Sequence, residues 1–232
     1  MQTLQTMDIQ AISHTDPQYP DRLLALYDPP SPLYIYGEAA LLKMPMIAIV
    51  GSRMPSAEGV KNALYFARAL SKAGFLILSG MARGIDGAAH RGALSLGEGH
   101  RTVAVCGTGL DITYPREHQL LADSIGRRGL LLSELAPGVG PRPSHFPRRN
   151  RIIAALSLGV LVIEAAEKSG SLITARLATE LGREVFALPG SLYNPLSSGC
   201  HQLIQQGAKL TQHPQDVLDE LSIYLKTSFK AT

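Results

Sequence analysis

Cysteine is nearly missing from this chain. Of 232 residues only Cys106 and Cys200 are cysteines, far apart and without any Cys-x-x-Cys or Cys/His spacing. That count argues against a disulfide framework and a structural zinc, and reduced thiols in a cytosolic protein are the expectation. Long apolar runs are also scarce. The longest, Ile152 to Ile163, is broken by Ser157 and Gly159, whereas a membrane-spanning helix needs about 20 apolar residues. No basic-then-apolar segment opens the chain, so neither export nor membrane attachment is expected. Net charge is thin as well: 22 Lys and Arg stand against 19 Asp and Glu, leaving +3. Whole-chain charge therefore says little about a polyanionic partner, and only local clustering can.

Catalytic and cofactor motifs are largely absent too. Gly107-x-Gly109 follows an apolar run, but Ile112 stands where the third glycine of a dinucleotide fingerprint belongs. No glycine-rich run ends in Lys-Ser or Lys-Thr, there is no Gly-x-Ser-x-Gly elbow, and the sequence shows no His-Glu-x-x-His. His90, His100, His118, His145 and His201 are scattered, as packing or surface histidines would be. We expect no cofactor, no metal site and no enzyme.

What is present is alternation. Apolar runs at Met46–Val50, Phe75–Leu78, Thr102–Cys106, Leu130–Leu132, Val160–Ile163 and Val185–Ala187 read as strands. Helical patterns lie between them at about Ala57–Ala73, Ile85–Leu96, Pro115–Ile125, Arg148–Leu158 and Ser171–Leu181. A short helix before Gly207 and an amphipathic stretch near Gln215–Leu225 follow. Gly74, Gly97, Gly126, Gly159 and Gly182 stand where helices should end. Nearly continuous apolar strands alternating with helices predict an α/β, doubly wound, mostly parallel sheet of extended Rossmann-like type. Residues 1–40, punctuated by Pro17, Pro20, Pro29, Pro30 and Pro32, read as an extended lead-in packing on the core. Residues 41–226 form the domain, and 227–232 a tail.

Ligands of such sheets bind beyond the carboxyl ends of the strands. Gly51-Ser52-Arg53 stands at one such end, with a glycine for close backbone approach, a hydroxyl and a cationic fork. Arg83 stands in the turn that feeds a helix N-terminus. The segment Arg142 to Arg151 carries four arginines and Phe146, with no acid between Glu134 and Glu164. Cations at a helix start oppose its dipole, by a few tenths to about 1 kcal/mol each, and an anion would relieve them. Arginine also suits a polyanion with flat bases, because its fork pairs phosphate and its plane stacks. Several positions keep two roles. Phe146 is a core plug or a stacking platform, Glu164 meets a hydroxyl, a base edge or an arginine, and Asp86 and Asp111 are turn acids or proton-transfer groups. Gly107 and Gly109 serve a tight turn or a ligand.

In order along the chain stand Asp16-x-x-Tyr-Pro20, Gly51-Ser-Arg53, Ser79-Gly-x-Ala-x-Gly-Ile-Asp86 and Gly107-x-Gly-x-Asp-x-x-Tyr-Pro115. Then come Phe146-Pro-x-Arg-Asn-Arg-Ile-Ile153, Glu164-Ala, Ser169-Gly-Ser-x-x-Thr-Ala-Arg176, Leu188-Pro-Gly190 and Gly199-x-x-x-Leu-Ile-x-x-Gly-Ala208. Together they resemble the DNA-processing protein A family (DprA, also called Smf) over residues 10 to 223. The resemblance implies a bacterial cytosolic protein that binds incoming single-stranded DNA in natural transformation, protects it and helps load the RecA recombinase, commonly as a homodimer. Carried over by motif, Gly51, Ser52 and Arg53 would hold phosphates. Phe146, Arg148, Arg149, Asn150 and Arg151 would line the same pocket, and Lys168, Ser169, Gly170 and Ser171 would contribute from the adjacent loop. Family members often have an N-terminal helical domain and a C-terminal winged-helix domain, which this sequence does not match, so the roles of those modules are not carried over. The alternative is a nucleotide-binding or nucleotide-processing enzyme resembling the LOG phosphoribohydrolases, whose Gly-Gly and Thr-x-x-Glu are absent from the stretch after Glu164.

Overall fold

The computed structural model describes residues 8–228. Among these described residues nine strands form one sheet: β1 (Gln10–Ile12), β2 (Leu33–Gly37), β3 (Met46–Val50), β4 (Leu76–Gly80), β5 (Thr102–Val105), β6 (Leu130–Ser133), β7 (Gly159–Val162), β8 (Glu184–Ala187) and β9 (Lys209–Leu210). Seven α-helices accompany them: α1 (Ala57–Lys72), α2 (Ile85–Leu94), α3 (Gln119–Arg128), α4 (His145–Leu156), α5 (Gly170–Glu180), α6 (Ser198–Gln205) and α7 (Pro214–Ser228). Among the described residues no helix is long and apolar enough to cross a membrane.

The strand order is β1-β2-β6-β5-β4-β3-β7-β8-β9. From β6 across to β9 every pairing is parallel, while β1 and β2 run antiparallel at one edge. The chain winds outward from β3 through β4 and β5 to β6, then returns across α4 to place β7 on the other side of β3. The order reverses between β3 and β7, which opens a crevice at their carboxyl ends.

Strand β3 shows why the sheet is covered on both faces. All five of its residues are buried. Met46, Ala48 and Val50 pack with α4, α5 and α6, whereas Ile47 and Ile49 pack with Ala63, Phe66 and Leu70 of α1 and with Ala88 and Ala89 of α2. Alternate side chains of a strand point to opposite faces, so a strand apolar on both must lie between two layers.

Several boundaries differ from the sequence reading. No strand was expected before Met46, yet β1 and β2 join the sheet there. Leu33 and Ile35 of β2 are buried while Tyr34 and Tyr36 are half-buried, an alternation suited to an antiparallel edge. Strand β9 was also not foreseen. The stretch from Pro115 starts as a 3-10 turn, Arg116–His118, before α3. Helix α4 starts at His145 instead of Arg148, which puts Pro147 in its first turn, where the missing N–H costs nothing. Gly74, Gly97 and Gly182 do end helices at φ of 103°, 91° and 66°. Gly126 instead lies inside α3 against the ring of Tyr36, and Gly159 opens β7 beneath Phe186. Of the tail expected at 227–232, Thr227 and Ser228 belong to α7, and 229–232 lie outside the described residues.

Candidate nucleic-acid interface

A pocket of about 530 Å³ opens at the crevice between β3 and β7. Its first wall is the turn after β3. The Ser52 N–H donates to the Glu164 carbonyl at 2.8 Å, and the Ile85 N–H donates back to the Ser52 carbonyl at 3.2 Å. A Cβ on Gly51 would lie 2.8 Å from Ile85 Cγ1 and 2.9 Å from the Glu164 carbonyl oxygen, so only glycine lets this turn pass between α2 and β7. The Ser52 hydroxyl accepts from the Met54 N–H at 3.1 Å. Arg53, exposed, extends beyond the turn, its guanidinium carbon 5.5 Å from the centre of the Phe146 ring.

Helix α4 is the second wall. Phe146, Arg149, Asn150 and Ile153 share the face that lines the pocket, as spacings of three and four residues require. The third wall is the start of α5. The Ser169 hydroxyl caps that helix by accepting from the Ser171 N–H, and Lys168 and Gly170 flank it. Asn150 Nδ2 donates to the Gly170 carbonyl at 3.2 Å and ties the two walls together. The amino end of α5 therefore faces the pocket beside Lys168, and a helix N-terminus favours an anion.

The floor is buried and charged. Arg149 is 4% exposed, and its Nη1 donates to the Val105 carbonyl. Asp86, 6% exposed, accepts from the Ala82 N–H at 3.4 Å. A Cβ on Gly80 would collide with both the Arg149 guanidinium and the Asp86 carboxylate, so a glycine there makes room for the two charges. Burial pushes the Asp86 carboxyl up to about 6, against the pull of Arg149 and, more weakly, of Ala82, Ser79 and Arg53. Burial likewise draws Arg149 below its ordinary value, with Asp86 opposing. Arg149 Nε is buried without a hydrogen-bond partner among the described residues.

Three of the four arginines of the basic segment, Arg142, Arg148 and Arg151, do not line this pocket. Arg151 Nη2 meets Glu134 Oε2 at 2.6 Å, and Arg148 Nε meets the same oxygen at 3.1 Å. Asp28 adds contacts of 3.4 Å to Arg148 and 3.9 Å to Arg151. These carboxylates supply the counter-charge that the sequence reading sought from an outside anion. Arg83 stands apart too, ion-paired with Glu117 in a smaller neighbouring hollow.

Two of the positions left open have clear partners. Glu164 meets a hydroxyl: its carboxylate accepts from Ser56 Oγ at 2.6 Å and from the Ser56 N–H at 2.9 Å, fixing the residue that caps α1. Asp111 accepts from the Gly138 N–H and is a turn acid. His90 is a packed core histidine bonded to Thr102 and to the Gly80 carbonyl. Both cysteines are free, and burial pushes each thiol up to about 12. The sequence reading gave no role to Tyr114, whose ring centre lies 5.3 Å from that of Phe146. The Tyr-Pro motif was visible there, but its contact with a residue 32 positions away was not.

Comparison with known proteins adds to this geometry. The family described as DNA recombination-mediator protein A matches residues 10–222. This chain belongs to that family. The DNA processing protein DprA of Streptococcus pneumoniae is 50% identical over 210 residues, covering 90% of this chain and 73% of the relative. The X-ray structure of DprA from that organism superposes with a TM-score of 0.87 at 49% identity, covering 93% of this chain and 75% of that one. A structure of DNA processing protein A from Helicobacter pylori, described for its single-stranded DNA binding mode, gives a TM-score of 0.83 at 32% identity, covering 93% and 96%. The Rossmann-like recombination-mediator fold is thus common to the chain and these relatives.

Proposed function

We propose that this chain binds single-stranded DNA in the β3–β7 pocket, during natural transformation, protecting the strand and helping to load the RecA recombinase on it. One observation carries the reading: a pocket of about 530 Å³ combines the Arg53 guanidinium, the Phe146 ring, Lys168 and the amino end of α5. Cations grip a phosphate backbone without reading sequence, and an aromatic ring accepts any base, which is the chemistry of single-strand binders. The buried Arg149 Nε, which has no acceptor among the described residues, is a donor that a phosphate oxygen would satisfy. That the Helicobacter pylori relative is described for binding single-stranded DNA supports the same class of ligand here.

We assign phosphate contacts to Gly51, Ser52, Arg53, Arg149, Lys168, Ser169, Gly170 and Ser171, and base contacts to Phe146 and Asn150. Arg83, Arg148 and Arg151 lie outside the pocket, each paired with a carboxylate, and we assign them no contact with the part of the strand held inside it. Residues 41–226 are the binding unit, which works in the cytoplasm as a homodimer, and β1 and β2 before them extend its sheet at one edge. We assign the pocket no cofactor and no bond-breaking step.

The test is a titration of fluorescently labelled oligo-dT at two salt concentrations. Binding whose affinity falls as salt rises, with a slope of about 0.7 per phosphate gripped, is the expected outcome. Absence of binding at low salt, or release of free base from nucleoside monophosphates, would refute it in favour of the nucleotide-processing reading.

A further inference from the structure

The Gly107–Pro115 segment gains a role here. It follows β5, carries two glycines and ends in Tyr-Pro, yet neither the sequence motifs nor the pocket account for Tyr114. We propose that Tyr114 and Arg83 form a second nucleotide subsite beside the first, Tyr114 stacking a base and Arg83 holding the adjoining phosphate. This rests on the single-strand reading above and extends it by at least one nucleotide.

Shared walls support it. A hollow of about 70 Å³ is lined by Arg53, Arg83, Gly107, Tyr114, Phe146 and Arg149 among others, and Arg53, Phe146 and Arg149 also line the main pocket. Phe146 is thus a partition with a cationic hollow on each side. The Tyr114 ring lies against it at 5.3 Å between centres and 36° between planes. Rings in contact leave no slot for a base between them, so together they make one stepped aromatic platform. Tyr114 is 44% exposed, which leaves part of its ring for a further base.

The platform is built by the glycine. A Cβ on Gly107 would lie 2.8 Å from Cδ1 and 2.9 Å from Cε1 of Phe146, so any larger residue would push that ring off the end of β5. This explains a strand-end glycine for which a tight turn and a ligand role had both stayed open. Gly109 answers a different need: a Cβ there would come 2.7 Å from Asp111 Oδ1 and 3.0 Å from Pro137 Cα.

Arg83 is available for phosphate. Its ion pair with Glu117 is solvent-exposed on both sides, at 64% and 48% of the side chains. Exposed pairs of this kind hold their partners weakly, so a strand phosphate can take the guanidinium. A strand leaving the main pocket over Phe146 meets Tyr114 and Arg83 next.

The chain contains no tryptophan, so Tyr114→Trp installs a single fluorescent reporter. Unlabelled oligo-dT should quench it along the same curve that labelled oligo-dT traces by anisotropy, whereas an abasic oligomer of equal length should leave it bright. Tyr114→Ala should weaken oligo-dT binding roughly 5- to 150-fold without changing the salt slope, the range for one stacked base. Tyr114→Phe should bind as the wild type does, and Arg83→Ala should lower the slope by about 0.7. Anisotropy showing tight binding without quenching, together with an unaltered affinity in Tyr114→Ala, overturns the subsite and leaves the main pocket standing. If the wild type binds no oligo-dT at all, the single-strand reading falls, and the subsite with it.

Discussion

The two faces of α4 carry similar residues to opposite ends. On one, Phe146, Arg149 and Asn150 turn toward the pocket. On the other, Arg148 and Arg151 turn toward Glu134 and Asp28 and are neutralised there. Four arginines within ten residues therefore do not all face one pocket. A charge whose partner is buried beside it, as Glu134 is beside Arg151, contributes less to a binding field than one left open to solvent. The pocket face obtains its exposed cations from elsewhere, Arg53 after β3 and Lys168 before α5, while the arginine that α4 itself contributes is 4% exposed.

The largest expected effect comes from breaking the pocket face at its base. Arg149→Ala removes a buried cation that the Val105 carbonyl and the Asp86 carboxylate both face, leaving two acceptors in a dry environment. We expect a loss of about 2–4 kcal/mol of stability, read as a fall of roughly 5–15 °C in Tm by calorimetry. A variant that melts with the wild type would show that Arg149 does not organise the floor.

The next contrast sets ring against ion pair. Phe146→Ala should cost about 1–3 kcal/mol of oligo-dT affinity, roughly 5- to 150-fold, with an unchanged salt slope, since a stacked ring releases no counterion. Arg148→Ala, from the other face, removes a side chain already paired with Glu134 and Asp28 and should change oligo-dT affinity by less than about 1 kcal/mol. Parallel titrations of the two variants measure the asymmetry of the helix. If Arg148→Ala costs as much as Phe146→Ala, the strand crosses both faces of α4 and the pocket is only part of its path.

Much of this was legible in the sequence, for identifiable reasons. Buried parallel strands such as Met46–Val50 are apolar without interruption, and the residues after them mark the ligand edge, so Gly51-Ser52-Arg53 could be placed before any coordinates. Strand β2 was hidden because Pro29, Pro30 and Pro32 crowd its entrance and read as punctuation. The start of α4 was set three residues late for a related reason: Pro147 looks like a boundary, although a first-turn proline is tolerated. The division of α4 into two faces could not be read at all. It depends on Asp28, some 120 positions earlier in the chain, and on a Glu134 carboxylate turned back onto the helix. The pairing of Tyr114 with Phe146 was equally out of reach, being a contact between loops that only the closed sheet brings together.

The smallest expected effect sharpens the comparison by titration. The pocket face has a carboxyl held up at about 6 by burial, with Arg149 as its chief opposing charge. Above that pH the Asp86 carboxylate places a negative charge under an incoming phosphate; below it the charge is gone. Affinity for oligo-dT should therefore rise as pH falls from about 7 to about 5, by about 1 kcal/mol or roughly fivefold at fixed ionic strength. His90, buried nearby and drawn down to about 4, stays neutral across this window. The sign for folding follows from the same shift. Because the native carboxyl holds its proton up to a higher pH than the unfolded one, stability decreases as pH rises from about 4 to about 6 and is level above that. Asp86→Asn should abolish the pH slope of binding while keeping the salt slope. A slope that persists in Asp86→Asn would assign the titration to another group and leave the floor of the pocket electrically silent.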